Sequence, residues 1–234
     1  MARKLRRLAS RRPPGLALLE GPRVVAEAVA AGVHLQLLAV REGDAFDAPA
    51  AGRVTLARGL FRSLSQTVTP QGVLAVAAAP ESSPAECLAA ARSAGWPLVV
   101  LDGVQDPGNV GTICRTAAAA GAPALAVLEG TADPYGPKAV RASAGNVFRL
   151  RVARAAWSDL DGLRGFGAAA EGGRPLDESA VEQAELLVLG SEAHGLRRGG
   201  LQLVTIPMAD GVESLNVAAA AAVLLFEIRR RKVA

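Results

Sequence analysis

Apolar positions along this 234-residue chain fall into two rhythms. Short, almost unbroken runs at 16–19, 35–40, 72–79, 98–101, 124–128, 147–150, 167–171, 186–190 and 204–206 read as β-strands, because runs of that length between Gly, Pro, Asp and other polar residues suit buried pleated segments. Between them, residues 22–31, 110–120 and 138–144 carry helical spacing, as does a last stretch from Ser214 to about 232. The segment after 35–40 is rich in Gly, Asp and Pro and reads as a loop. Strands alternating with helices predict an α/β fold whose main sheet is parallel and covered on both faces. Such sheets take ligands at the carboxyl ends of their strands.

Pro and Ser concentrate at 80–84, which divides the pattern. We expect a small α/β unit at 1–80, a linker at 81–96 and a larger sheet domain at 97–234. In the final helix Ser214 suits an N-cap, and Arg229, Arg230, Arg231 and Lys232 suit the negative end of the helix dipole. Residues 219–226 are apolar on most faces, which fits burial, including burial against a second copy of the chain.

Composition narrows the class. Half the residues are apolar but only 3% are aromatic, so the core is built from Ala, Val and Leu, and the make-up is not that of a disordered chain. The net charge of +4 comes almost wholly from arginine, since Lys4, Lys138 and Lys232 are the lysines. That balance permits a polyanionic partner. Arg3, Lys4, Arg6, Arg7, Arg11 and Arg12 read either as phosphate contacts or as a frayed, solvated start. The apolar run after them is too short for a secretory leader, and 215–226 falls short of the ~18 residues that span a bilayer. Cys87 and Cys114 lack metal or redox spacing, and His34 and His194 stand apart from other ligands, so neither metal nor membrane is expected and a reducing cytoplasm is. No Gly-Lys pair exists, which excludes a Walker A loop. Gly165, Gly167 and Ala170 match a dinucleotide fingerprint formally, but they precede a strand instead of following one.

Three segments carry candidate chemistry. The first runs from Leu101 through Asp106-Pro107-Gly108-Asn109 to Gly111 and Arg115: a strand, a turn and a helix with Asn109 at the N-cap and Arg115 in the second turn. Spacing alone favours an ordinary strand-turn-helix with a surface arginine. The second, Leu189-Gly190-Ser191-Glu192-Ala193-His194, ends a buried strand on a carboxylate, which suits either catalysis or a helix cap. The third, Ile206-Pro207-Met208 followed by Ser214-Leu215-Asn216-Val217, opens the last helix, whose exposed amides suit an electron-rich ligand or simply a capped helix.

Taken together, these residues resemble the three motifs of the SpoU (TrmH) family of RNA 2′-O-ribose methyltransferases in the SPOUT superfamily. The resemblance rests on Asn109-x-Gly111-x-x-x-Arg115, on Leu189-Gly190-Ser191-Glu192, and on Ile206-Pro207-Met208 with Ser214-Leu215-Asn216-Val217; Ala193 stands where the family usually has glycine. The segment from Asp133 to Gly145 is similar to the family's linking segment, and Glu20-Gly21-Pro22-Arg23 with Pro70-Gln71-Gly72 resembles a substrate-binding domain found in many of these enzymes.

The resemblance implies a C-terminal parallel sheet with a deep trefoil knot, preceded by a small RNA-binding domain. It implies a homodimer joined through the C-terminal domain, S-adenosylmethionine as cofactor, and RNA, ribosomal before transfer RNA, as substrate. Gly190, Ile206, Leu215 and Val217 would hold the cofactor, with Leu128 and Gly130 nearby. Asn109, Arg115, Glu192, Ser214 and Asn216 would form the catalytic set. Arg115 would anchor phosphate or steady a developing alkoxide, since a guanidinium offers donors and no acceptor. Two other readings stay open at this point: a protein that binds RNA or a nucleotide without chemistry, and a nicotinamide-dependent oxidoreductase.

Overall fold

The computed structural model of the chain describes residues 15–191, 195–197 and 200–233. Its first strands are short and Ala-, Leu- and Val-rich: β1 (Leu16–Glu20), β2 (Leu35–Arg41), β3 (Arg53–Leu56) and β4 (Val73–Ala78), with helices α1 (Pro22–Ala30) and α2 (Arg58–Leu64) between them. They form a four-stranded sheet in the order β1-β4-β2-β3, antiparallel except for the β2/β3 pair. The expected loop after β2 therefore contains a strand and a helix. Polar residues at Arg53 and Thr55 break the apolar run of β3, an edge strand exposed on part of its length.

The expected linker carries a helix, α3 (Pro84–Ser93), started by a capping box between Ser83 and Glu86. Cys87 and Ala91 of α3 are buried with Leu98, Val100, Ala124 and Ala153 of the larger sheet. We propose that the small unit still ends near residue 80, with α3 counted in the second unit. The rest of the chain gives β5 (Leu98–Asp102), α4 (Pro107–Ala120), β6 (Ala124–Val127), α5 (Pro137–Ala142), β7 (Arg151–Arg154), β8 (Gly165–Ala168), β9 (Arg174–Pro175), β10 (Leu186–Gly190), β11 (Gln202–Thr205) and α6 (Val217–Val233). A strand expected at 147–150 is instead a 3-10 turn, Asn146–Arg149, and the strand comes next. Gly145, at φ +84°, turns the chain there.

The seven strands pair in the order β7-β6-β5-β10-β8-β11-β9, and every pair is parallel. Burial on both faces follows from the unbroken apolar runs. In β5 and β10, Val99, Leu101, Leu187 and Leu189 face the core shared with α4 and α6, while Leu98, Val100, Leu186 and Val188 face the side covered by α3. The chain builds β5, β6 and β7 outward in one direction and then returns through β8 on the other side of β10. The sheet thus has a switch point around β5, β10 and β8, where a crevice forms at the strand ends.

Gly165 and Gly167 lie within β8, so the fingerprint reading of that segment is wrong. A Cβ on Gly165 would stand 2.6 Å from the Leu186 side chain, and one on Gly167 would overlap Leu196. Their glycines serve close packing in the sheet.

The small unit is fastened to the large one. Glu20, 6% exposed at the end of β1, accepts hydrogen bonds from the Ser65 hydroxyl, the Gln66 amide (3.1 Å) and the Thr67 hydroxyl (2.6 Å), and lies 3.8 Å from the Arg141 guanidinium of α5. Arg149 donates to Glu27 (2.7 Å), and the Tyr135 hydroxyl donates to the Pro80 carbonyl (2.7 Å). Helix α5 in turn packs on α4 through Gly111. A Cβ there would meet the Ala139 carbonyl inside van der Waals contact and the Ala142 Cβ at 2.7 Å. Gly111→Ala is expected to cost about 1–3 kcal/mol by overpacking, read as a lower urea midpoint with an unchanged m-value. An unaltered midpoint would refute the contact.

Candidate active site

The second motif is shaped by a chain reversal. Strand β10 ends at Gly190, and Ser191 and Gly195 exchange backbone hydrogen bonds (3.1 and 2.9 Å). Gly195 has φ +60°, and the returning chain passes so close to Gly190 that a Cβ there would overlap the Gly195 carbonyl. Glycine at 190 is therefore demanded by close approach of backbone to backbone. Leu196 then lies over Gly167, and the Arg197 amide donates to Asp102 at 2.9 Å.

Asp102 is the tip of β5 and is fully buried. A carboxylate so placed needs partners. Arg197 supplies them: Nε lies 2.7 Å from Oδ1, Nη2 lies at the same distance, and Nη2 also donates to the Glu129 carbonyl. The ends of β5 and β6 are thereby joined to the chain that follows β10.

The third motif starts α6, but not at Ser214. Helical residues begin at Val217, and the Asn216 Oδ1 accepts from the Ala218 amide (2.9 Å), so Asn216 is the N-cap. Its Nδ2 donates to the Asn109 Oδ1 at 3.2 Å. One amide side chain thus ends a helix and reaches α4. In the first motif the N-cap is Asp106, whose carboxylate accepts from the Gly108 (2.6 Å) and Asn109 (3.0 Å) amides. Lys138, 2.7 Å away, holds the Asp106 carboxyl below its ordinary range together with those amides. Asn109 sits on the first turn of α4. Arg115 is on its third turn, exposed and without an ion pair among the described residues.

These segments enclose a cavity of about 760 Å³ at the carboxyl ends of β8, β10 and β11. Its walls include Ala168 at the end of β8 with residues 169–170, Gly190 and Ser191, Leu203 and Val204, Ile206, Met208, and Ser214, Leu215, Asn216 and Val217 at the start of α6. Gly190, Ile206, Leu215, Val217, Ser214 and Asn216 were expected at a site and meet here. Asn109 is hydrogen-bonded to one of them. Leu128 is buried at the end of β6, its amide on the Leu101 carbonyl (2.9 Å), and does not line the cavity. Gly130 lies beside Arg197, also off the wall. Glu192, Ala193 and His194 lie outside the described residues, as do Arg3 to Arg12.

Asp102 and Arg197 were not anticipated. The sign that was there to be read is an Asp closing a wholly apolar strand, since a carboxylate is almost never fully buried unless paired.

The cavity's size is that of a small-molecule site, and its wall is apolar with a few polar groups, which is the usual make-up of one that holds a nucleoside-sized ligand. Among the described residues no group of His, Cys, Asp or Glu is placed to hold a metal, and no helix is long and apolar enough to cross a membrane.

Comparison with known proteins agrees with this geometry. Residues 97–226 match the model of the SpoU rRNA Methylase family, and residues 1–75 match an MRM3-like substrate binding domain. A 23S rRNA (guanosine(2553)-2′-O)-methyltransferase, RlmP of Bacillus subtilis, is 36% identical over 185 residues, covering 74% of this chain and 71% of that protein. The SpoU methyltransferase AviRb from Streptomyces viridochromogenes, solved with the cofactor AdoMet, superposes with a TM-score of 0.81 at 26% identity over 100% of this chain and 98% of its own. An AdoMet-bound rRNA methyltransferase from Sinorhizobium meliloti gives 0.79 at 27% identity, over 98% and 94% of the two chains. With residues of the second and third motifs on one cavity wall, Asn109 of the first hydrogen-bonded to it, and the family model spanning 97–226, this chain belongs to the SpoU rRNA methylase family.

Proposed function

We propose that this chain transfers a methyl group from S-adenosylmethionine to a ribose 2′-hydroxyl of RNA, ribosomal RNA before transfer RNA. The observation that carries the reading is that Gly190 and Ser191, Ile206 and Met208, and residues 214–217, far apart in sequence, line one apolar cavity whose edge is hydrogen-bonded to α4 through Asn216 and Asn109. The matched substrate-binding domain at 1–75 and the rRNA-methylating relatives support ribosomal RNA.

When bound, S-adenosylmethionine supplies an electrophilic methyl group on a sulfonium. Gly190, Ile206, Leu215 and Val217 would hold it, with Leu128 and Gly130 behind the wall. What remains for the chain is to place a ribose oxygen in line and to ease the loss of its proton. A guanidinium offers hydrogen-bond donors and no acceptor, so the work of Arg115 is to grip a phosphate or to stabilise charge growing on the sugar oxygen. Asn109, Asn216, Ser214 and Glu192 orient groups around that oxygen.

The same reading includes a trefoil-knotted path, supported by the slotting of β10 between β5 and β8 and by the hydrogen bond of the Arg197 amide to the end of β5. It includes a homodimer formed on α6. There Val223 (42% exposed) and Phe226 (48% exposed) follow Ala219 at helical spacing, an apolar stripe that water disfavours. It also includes a cytoplasmic location, which suits two unpaired cysteines that burial pushes up to about 11 at Cys87 and about 12 at Cys114.

Arg115→Ala is expected to lower methyl incorporation into RNA by about a hundredfold or more while S-adenosylmethionine affinity by calorimetry stays within about twofold. An equal fall in cofactor affinity would refute the assignment. Phe226→Asp is expected to give a monomer in sedimentation at concentrations where the unaltered protein is dimeric. A variant that remained dimeric would move the interface elsewhere.

A further inference from the structure

Among the described residues that line the cavity, Arg197 alone carries a charge. The rest of the wall is aliphatic, glycine, or neutral Ser, Met and Asn. A ligand with an ionised carboxylate pays heavily to enter such a wall unless a cation meets it. Arg197 is also held unusually firmly for a half-exposed arginine. Nε and Nη2 are committed to Asp102, and Nη2 also to the Glu129 carbonyl. The hydrogens of Nη1 have no acceptor among the described residues, and Nη1 lies beside Gly130, where a Cβ would crowd it at 3.3 Å. A guanidinium fixed on two of its nitrogens and open on the third is a pre-oriented donor, with its rotamer entropy already lost before a ligand arrives.

We propose that Arg197, steered by Asp102, is the anchor for the α-carboxylate of the methyl donor's amino-acid end. The inference rests on the methyltransferase reading and adds to it a residue that is outside the three motifs. Nη1 donates to the carboxylate in a charge-assisted hydrogen bond. Asp102 lowers the net charge of the pair but occupies the Nε and Nη2 edge, so it leaves the Nη1 donors unoccupied and fixes their direction. Adenine and ribose are neutral and need only the apolar wall and its backbone groups, so the carboxylate is the part of the donor for which a cation is required.

Decarboxylated S-adenosylmethionine tests this directly, because it keeps the sulfonium, the nucleoside and the amine and lacks only the carboxylate. Calorimetry on the full chain should find S-adenosylmethionine bound about ten- to a hundredfold more tightly than the decarboxylated compound. In Arg197→Gln that preference should vanish through weaker binding of S-adenosylmethionine, with the decarboxylated compound bound as before. Arg197→Lys should recover part of it. Unchanged binding of the decarboxylated compound shows at the same time that the variant is folded. The proposal is overturned if Arg197→Gln weakens both compounds equally, which would make Arg197 a prop for the loop, or if the unaltered protein does not distinguish them. An unaltered protein that binds neither compound would overturn the methyl-donor reading, and this proposal with it.

Discussion

A carboxylate sealed inside a protein has to be answered by a cation or by several hydrogen bonds, and the large sheet is organised around one such demand. Asp102 ends the most buried strand of the molecule with no solvent on it. Its partners come from the chain that has just left β10, and that chain must fold back sharply to deliver them. The reversal at Ser191 and Gly195, the close pass over Gly190 and the seat of Leu196 on Gly167 are all conditions for Arg197 to reach β5. The ligand site is thus set by satisfying a backbone strand's terminal charge, and its apolar lining is what remains after that.

A second constraint is the near absence of bulky side chains. With few aromatic residues, the core closes by bringing backbones together, and this requires small residues wherever helices meet. Gly111 lets α5 lie against α4, and Ala117, Ala120, Ala218 and Ala221 are fully or almost fully buried in the core that α4 and α6 share. The first turn of α4, with Asn109, and the start of α6, with Asn216, come within hydrogen-bond distance because the helices below them pack so closely.

Much of this was legible in the sequence, for physical reasons. Runs such as 98–101 and 186–190 bury both faces, so their parallel pairing followed from their composition. The gathering of Gly190, Ile206 and Asn216 was legible only by resemblance, since no local pattern says which loops converge across a sheet. Residues 53–64 were misread because Arg53, Thr55 and Arg58 interrupt their apolar pattern, and the contacts that make them a strand and a helix are tertiary. At 147–150 an apolar run became a 3-10 turn because Gly145 had already redirected the chain. The cap positions moved because Asp and Asn both suit that place. Asp106 precedes Pro107, which favours the first helical position, and Asn216 lies immediately before the uninterrupted apolar residues of α6. Arg197 escaped notice since nothing in a pair of arginines after a glycine foretells a buried carboxylate 95 residues earlier.

The buried Glu20 has a mechanical meaning. Its oxygens serve a loop of the small unit and its charge serves a helix of the large one, so a swing of either unit would strand a carboxylate and a guanidinium together. With α3 packed on the large sheet where a linker was expected, the join between the two units is itself part of a core. Val25 and Ala28 of the small unit share one apolar core with Val140 and Val147 of the large one, so parting the units would wet apolar surface as well as unpair those charges.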